Sequence, residues 1–160
     1  MNRILAWLEM FGLFALLYVG IPYAGLRIDR ILGLPPLPIF VLGLGLILLS
    51  IGVAILAWCF ALFSRVGHGT PNPAMPPESL VTIGPYAWTR NPIALGHATA
   101  LIGLSLFLGS VFAAVIVVVL AFPVHLAMLR EERTLEARFG DAYRLYKISV
   151  PRWVPRPWRR

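Results

Sequence analysis

Two short polar groups stand out in a chain that is otherwise rich in apolar residues. Arg90, Asn91 and Pro92 lie together between apolar runs, and two adjacent carboxylates, Glu131 and Glu132, lie at the end of a later run. Ionisable groups at a bilayer are costly, so each indicates a functional site by default. A cation beside a helix start is typical of an anion site, and carboxylates accept hydrogen bonds from ligand hydroxyl groups.

The pair Asn91-Pro92 predicts a helix start, with Asn91 as the N-cap and Pro92 as the first helical residue. The first backbone N–H groups of a helix have no partner inside the helix and attract anions. With Arg90 beside them, they could bind a carboxylate or a phosphate. The plainer interpretation is a helix start without a ligand, and both interpretations can hold together.

The adjacent carboxylates Glu131 and Glu132 should point about 100° apart on a helix, so they cannot face one pocket as a tight pair. One of them could bind ligand hydroxyl groups while the other pairs with Arg130, Arg133 or Arg90. The alternative is that both are solvated at the end of a membrane span.

His125 precedes Glu132 by seven residues, which places both on one helix face. Pro123 should kink this helix and free a backbone carbonyl group. A kink, a histidine and a carboxylate along one face could line a cavity. The alternative for His125 is a hydrogen bond to a neighbouring helix.

The remaining candidates are weaker. Glu9 lies inside the first apolar run, where we expect it to snorkel or to pair with a basic residue. His97 and His68 complete the histidines, and the three lack the spacing of metal ligands, so we expect no metal. The lone Cys59 can form no disulfide bond within the chain, and we expect it to be core or lipid-facing.

The composition predicts an all-α integral membrane protein. The 160 residues are 59% hydrophobic and only 13% charged, which is typical of a membrane protein. Apolar runs of about 20 residues each predict about four transmembrane helices, at roughly 4–26, 37–64, 92–108 and 111–129. We expect one domain, 1–160, with a C-terminal segment, 130–160, outside the membrane.

The C-terminal segment predicts an amphipathic helix at the membrane interface. Its apolar and aromatic residues recur at helical spacing: Leu135, Phe139, Tyr143 and Tyr146. Gly140 and Asp141 should divide it into two pieces, with Asp141 as the second N-cap. The Trp and Arg residues after Val150 suit lipid headgroups.

The charge distribution predicts the orientation. All of the 14 Lys and Arg residues except Arg27 and Arg30 lie on one side of the four predicted spans, and such residues favour the cytoplasm. Both termini should therefore be cytoplasmic, in a bacterial inner membrane. The net charge of +7 suits anionic lipids, and we expect no nucleic acid as a partner.

An ordered set of motifs between about residues 67 and 155 resembles one family of membrane enzymes, the isoprenylcysteine carboxyl methyltransferases. Membrane phospholipid methyltransferases are similar in the same region. In chain order, the motifs are Gly69-Thr70-Pro71, Pro76-Pro77, Leu80 to Tyr86, Arg90-Asn91-Pro92 with Gly96, Glu131-Glu132-x-x-Leu135, Phe139-Gly140, Tyr143, Tyr146 and Val150 to Trp153.

The resemblance implies an enzyme that uses S-adenosylmethionine, releases S-adenosylhomocysteine and methylates a lipid or lipidated substrate. It implies two motifs that enclose the cofactor on the cytoplasmic side, with the residues before the first motif as a wall. Together with His125, the cofactor-binding candidates are Gly84, Pro85, Tyr86, Arg90, Asn91, Pro92, Gly96, Glu131, Glu132 and Leu135. No catalytic residue is assigned.

Two positions depart from the family pattern. Asn91 replaces the family histidine, and Ala94 replaces the family tyrosine. Asn91 can still donate and accept hydrogen bonds, whereas Ala94 cannot replace a hydroxyl group or an aromatic ring.

Three classes of function remain open from the sequence. The leading hypothesis is methyl transfer at the cytoplasmic membrane face, most like isoprenylcysteine carboxyl O-methylation, with phospholipid N-methylation as the alternative. A carboxylate acceptor needs no base, whereas an amine must first lose a proton. A membrane reductase that uses a nicotinamide cofactor ranks lower, and a membrane scaffold without activity would leave the polar groups unused. Cofactor binding separates the three.

Overall fold

All of the regular structure in the described part of the chain is helical. The computed structural model describes Leu8 and residues 11–67 and 78–154. Five helices follow one another: α1 (Phe11–Ile31), α2 (Ile39–Arg65), α3 (Pro92–Phe107), α4 (Val111–Phe139) and α5 (Asp141–Ser149). A short 3₁₀ turn, Gly84–Ala87, precedes α3. The predicted all-α class is confirmed for these residues.

Four of the helices are apolar, as the hydropathy predicts. Within the described residues, α1, α2 and α4 are long and apolar enough to cross a membrane, and α3 is a shorter apolar helix of 16 residues. Large apolar side chains are widely exposed on these helices, for example Ile39, Phe40 and Phe122. Such exposure is expected where lipid replaces water as the solvent.

Two helices extend beyond their predicted ends. Helix α1 continues to Ile31 rather than ending near Leu26, because Asp29 in its last turn has polar partners that satisfy it. Helix α4 continues to Phe139 rather than ending near Leu129, so it joins the apolar run to the charged segment without a break. It also continues through Pro123. The predicted start of the first span, near Ile4, lies outside the described residues.

The predicted break between α4 and α5 is confirmed. Gly140 has a φ of 54°, a conformation that glycine adopts readily and that ends helices. Asp141 is the first residue of α5 and Gly140 is its N-cap, so the predicted capping role of Asp141 is wrong. The glycine itself makes the turn, and an aspartate in the first helical turn still favours the helix dipole.

The chain divides into two compact units. The first comprises Met1–Ala54 and Gly96–Phe122, and the second comprises Ile55–Leu95 and Pro123–Arg160.

Small residues allow close helix packing in the first unit. A side chain at Gly103 would clash with the backbone nitrogen of Leu49, and one at Gly52 would clash with the backbone of Ala100. In a membrane, helices associate through such close contacts because lipid is as apolar as their side chains.

Two polar interactions in the first unit were not foreseen from the sequence. Asp29 is buried and accepts hydrogen bonds from the Ser110 hydroxyl group (2.5 Å) and the Phe112 N–H group (3.1 Å) at the start of α4. Tyr18 lies in a π-helical turn of α1, and its hydroxyl group is 2.8 Å from Nδ1 of His97. Both satisfy polar groups inside the unit, and His97 therefore has a structural partner.

The second unit contains two small cores. Cys59, Val81 and Tyr86 form one, which confirms that the cysteine is a core residue. Leu135 and Phe139 pack against the other, which consists of Tyr143, Tyr146 and Val150. These cores position the loop before α3 and the segment after α5.

Candidate active site

The segment before α3 is a turn that only glycine can begin. Gly84 has a φ of 62°, and a side chain there would meet Leu62 and Trp58. Pro85 and Tyr86 follow it and are buried. The turn is therefore a tightly packed segment shortly before Arg90.

Helix α3 begins at Pro92, as predicted. The side-chain N–H₂ group of Asn91 donates a hydrogen bond of 3.2 Å to the backbone carbonyl group of Arg152. The Thr89 hydroxyl group donates to the same carbonyl group over 2.8 Å. The Arg90 N–H group donates to the carbonyl group of Pro151 over 2.9 Å. Three consecutive residues before the helix thus bind one short stretch near the C-terminus.

The Arg90 side chain is buried and incompletely paired. It is 9% exposed, and its Nη1 atom lies 3.1 Å from Oε2 of Glu132. The geometry of this ion pair is not that of a hydrogen bond. Among the described residues, Nε and Nη1 of Arg90 have no hydrogen-bond partner. Buried donors without partners are rare in proteins, so they point to a ligand.

Glu132 is buried and already paired. Its side chain is 6% exposed, and Arg152 binds it through two parallel hydrogen bonds, from Nε to Oε1 (2.7 Å) and from Nη2 to Oε2 (2.9 Å). This is the fork geometry in which arginine binds carboxylates most strongly. The pairing of Glu132 with Arg90, which the sequence left open, is thus present. Arg152 is a second cation that pairs with the same carboxylate.

The sequence did not predict Arg152 as a site residue. The resemblance includes Val150 to Trp153, but no charge pattern near Arg152 indicates a partner 20 residues earlier in the chain. The only available signal was the need of a buried carboxylate for cations. The hydrogen bonds to Glu132 raise the pKa of Arg152 above its usual range, so it is always charged. Arg152 therefore belongs to the charged cluster around Glu132.

His125 is held by the residue after Arg152. The indole N–H group of Trp153 donates to Nδ1 of His125 over 3.0 Å. Since Nδ1 accepts this bond, the neutral imidazole carries its proton on Nε2. His125 is therefore a hydrogen-bond donor at Nε2. Its partner is the C-terminal segment, and not a neighbouring helix as the sequence alternative supposed.

The two adjacent carboxylates differ in burial. Glu131 is exposed, whereas Glu132 is buried, as expected for neighbours that point in different directions on one helix. Glu131 thus remains available to a ligand, whereas both oxygens of Glu132 already accept hydrogen bonds from Arg152.

Buried tyrosines surround the charged cluster. The Tyr146 hydroxyl group donates to the backbone carbonyl group of Tyr86 over 2.8 Å, and burial raises the pKa of Tyr146. Burial also raises the pKa of Tyr143, the charge of Glu132 adds to the rise, and Arg90 opposes it. Both phenols therefore stay neutral beside the cluster.

Most of the predicted cofactor-binding residues belong to the second unit. Those in the second unit are Gly84, Pro85, Tyr86, Arg90, Asn91, Pro92, His125, Glu131, Glu132 and Leu135. Gly96 is buried on α3 and belongs to the first unit. Glu9, His68 and the motif residues Gly69 to Pro77 lie outside the described residues.

The cluster has a surplus of positive charge. Arg90 and Arg152 carry two positive charges and Glu132 one negative charge, so one buried charge has no counterpart within the cluster. The donors of Arg90 and the start of α3 together suit one carboxylate or phosphate group. Within the described residues, no group of three His, Cys, Asp or Glu side chains suits a metal ion.

Comparison with known proteins identifies a family but gives no related structure. No curated protein and no solved structure gives a significant match. A sequence model of one family, described as phospholipid methyltransferase, matches residues 39–142, which include the loop before α3 and both carboxylates. The chain therefore belongs to the phospholipid methyltransferase family, within the group of integral membrane methyltransferases that also includes the isoprenylcysteine carboxyl methyltransferases.

Proposed function

We propose that this protein transfers a methyl group from S-adenosylmethionine to a lipid or lipidated substrate. The observation that carries this proposal is the buried Arg90 side chain, whose Nε and Nη1 donors have no hydrogen-bond partner among the described residues. It lies within the segment that matches a methyltransferase family. A site of this kind needs an anionic group, and the amino-acid part of the cofactor has one carboxylate.

The charges of the site fit this cofactor. Its carboxylate can accept hydrogen bonds from the free Nε and Nη1 donors of Arg90, and the start of α3 adds backbone N–H donors. Glu131 suits the ribose hydroxyl groups, since it is exposed while Arg152 occupies both oxygens of Glu132. Gly84, Pro85 and Tyr86 form the wall, and Leu135 contributes apolar surface.

When bound, the cofactor supplies a methyl group on a sulfonium ion, which is electrophilic without further activation. The residues of this chain must then orient donor and acceptor and exclude water. In this proposal, Arg90 holds the amino-acid end of the cofactor and Glu131 holds its ribose. His125, with its proton on Nε2, is placed to donate a hydrogen bond to an oxygen.

A carboxylate is the acceptor that we favour, as in isoprenylcysteine carboxyl O-methylation. Such an acceptor needs no base. Among the described candidates, Glu132 is paired with arginines and Nδ1 of His125 accepts a bond from Trp153, so neither is a free base. The family description favours a second candidate, the amine of a phospholipid, whose deprotonation would require Glu131 or a residue outside the described part.

The proposal includes the placement of the chain. The exposed apolar side chains of α1, α2 and α4 suit helices that face lipid, and we propose that the acceptor enters from the bilayer. The excess of Lys and Arg beside the site favours the cytoplasm of a bacterium, where the cofactor is made, with both termini on that side of the inner membrane. Residues 1–160 would form this one catalytic domain.

Calorimetric titration with S-adenosylhomocysteine, the stable product, tests the cofactor. We expect micromolar binding by the detergent-purified protein. Arg90→Gln should weaken it by about 10- to 100-fold, as expected for a lost hydrogen bond to a charged group. The matched control is Arg144→Gln, which removes a cation from an exposed ion pair. No binding by well-folded protein would contradict the proposal and favour a scaffold or a reductase.

The linkage in the product identifies the acceptor. The protein is incubated with methyl-labelled cofactor and either a farnesylcysteine analogue or phosphatidylethanolamine vesicles. Methyl esters release methanol in alkali, whereas N-methyl groups remain attached. Label released by alkali would support the carboxylate, and label that resists alkali on phosphatidylethanolamine would establish the amine instead.

A further inference from the structure

We propose that Arg152 is a positioning residue that fixes the Glu132 carboxylate in an orientation without a hydrogen bond to Nε or Nη1 of Arg90, and so leaves these donors to bind the carboxylate of the cofactor. This inference rests on the proposed function and adds a role that neither the sequence motifs nor the family match assigns. Of the two arginines, Arg152 binds the glutamate through two hydrogen bonds, while Arg90 makes only an ion pair with it and keeps two donors without a hydrogen bond.

The geometry shows an unequal division of Glu132 between the two arginines. Arg152 makes two hydrogen bonds, one to each carboxylate oxygen, at 2.7 Å and 2.9 Å. Arg90 makes a single ion pair of 3.1 Å without hydrogen-bond geometry. A bidentate pair fixes the carboxylate plane. While Arg152 holds that plane, Glu132 cannot turn to meet the donors of Arg90.

Without the Arg152 side chain, the charge balance changes. Arg90 and Glu132 would then be alone in a buried site, and a buried arginine and carboxylate attract strongly in low dielectric. We expect Glu132 to turn and bind Arg90 through both oxygens. The pair would be neutral, and the donors that should bind the cofactor carboxylate would be occupied.

The fold allows this side chain to be tested without loss of the segment that carries it. The segment is held by its backbone, because the Arg152 carbonyl group accepts bonds from Thr89 and Asn91 and the Pro151 carbonyl group accepts one from Arg90. The next residue, Trp153, is held by His125. Substitution of the Arg152 side chain should leave these bonds in place.

The decisive measurement compares two ligands, S-adenosylhomocysteine and 5′-methylthioadenosine, which lacks the amino-acid part and its carboxylate. We expect Arg152→Gln to weaken S-adenosylhomocysteine binding by about tenfold or more, the loss typical of a charged hydrogen bond. Binding of 5′-methylthioadenosine should be unchanged. A general distortion of the site would weaken both ligands alike.

A second variant tests the mechanism by rescue. In the double variant Arg152→Gln/Glu132→Gln, the amide at position 132 cannot neutralise Arg90, so S-adenosylhomocysteine binding should return to within about threefold of the wild type. Arg152→Lys should lie between, because lysine supplies the charge without the fork. Size-exclusion profiles confirm that each variant is folded before it is titrated.

The outcomes separate this inference from the proposed function. Failure of the wild type to bind S-adenosylhomocysteine would overturn both. Wild-type binding with an equal effect of Arg152→Gln on both ligands, or without rescue in the double variant, would overturn the positioning role and leave the methyltransferase proposal standing. If Arg152→Gln does not fold, the single variant Glu132→Gln decides. Retained binding supports the role, and lost binding would show that Glu132 itself holds the ligand.

Discussion

Two charged clusters form around glutamates of helix α4 in different surroundings. Glu132 pairs with Arg90 and Arg152, and one helical turn later Glu136 pairs with Arg144 and Lys147. Arg144 also pairs with Asp141, so the first cluster has one carboxylate and two cations, whereas the second has two carboxylates and two cations. The first is largely buried and the second is largely exposed.

Burial gives paired charges different consequences. Exposed ion pairs are screened by water and salt and contribute little to stability. Buried charges must be paired, because an unpaired charge in a low dielectric is costly. The charges of the exposed cluster are balanced and solvated, whereas the buried cluster has one more cation than carboxylate and would be stabilised by an anion. The comparison therefore supports the proposal that the buried cluster binds a ligand, whereas the other cluster is a surface feature.

Substitution of the two glutamates should give the largest difference in the free energy of unfolding between the buried and the exposed cluster. Glu132→Gln leaves two cations in a mostly buried site without a counter-charge, and we expect the free energy of unfolding to fall by about 3 kcal/mol or more. Glu136→Gln, the matched control, should leave it almost unchanged. Thermal unfolding in detergent, followed by tryptophan fluorescence, measures both. Equal effects of the two substitutions would contradict the conclusion that burial makes the first cluster different from the second.

Loss of a buried hydrogen bond between neutral groups should lower the free energy of unfolding by an intermediate amount. Tyr146→Phe removes the donor to the Tyr86 carbonyl group and leaves that acceptor unsatisfied, which should cost about 1–3 kcal/mol. Tyr23→Phe is the control, since that side chain is 65% exposed. The same unfolding measurement applies, and a loss larger than that of Glu132→Gln would show that charge is not what makes the first cluster sensitive.

Much of the fold could be predicted from the sequence, since it depends on local patterns. Apolar runs predicted the four apolar helices, Pro92 predicted the start of α3, and Gly140 predicted the break before α5. The ends of α1 and α4 were predicted less well. Hydropathy marks where apolar residues end, and a helix ends where its backbone loses partners or meets a glycine.

The site was only partly predictable, because its pairs join residues distant in the chain. The position of Arg90 beside a helix start and the divergence of the two glutamates follow from local geometry. The bond between Glu132 and Arg152, and that between His125 and Trp153, depend on how the segment after α5 returns to α4. The spacing of residues in the sequence does not predict where the segment after α5 contacts α4. Asp29 was missed for the same reason, since its partners at Ser110 and Phe112 lie about 80 residues later.

Added salt should change the stability least, and its effect on the coupling within each ion pair tests screening most directly. Raising the salt concentration from about 0.1 M to about 1 M shortens the Debye length from about 10 Å to about 3 Å. The coupling between Glu136 and Lys147, measured by a double-mutant cycle in thermal unfolding, should then disappear. The coupling between Glu132 and Arg152 should persist, because the glutamate is buried and screening ions cannot reach it. Equal salt sensitivity of the two couplings would mean that water enters the first cluster. Its surplus charge would then be solvated, and the argument that it requires an anionic ligand would fail.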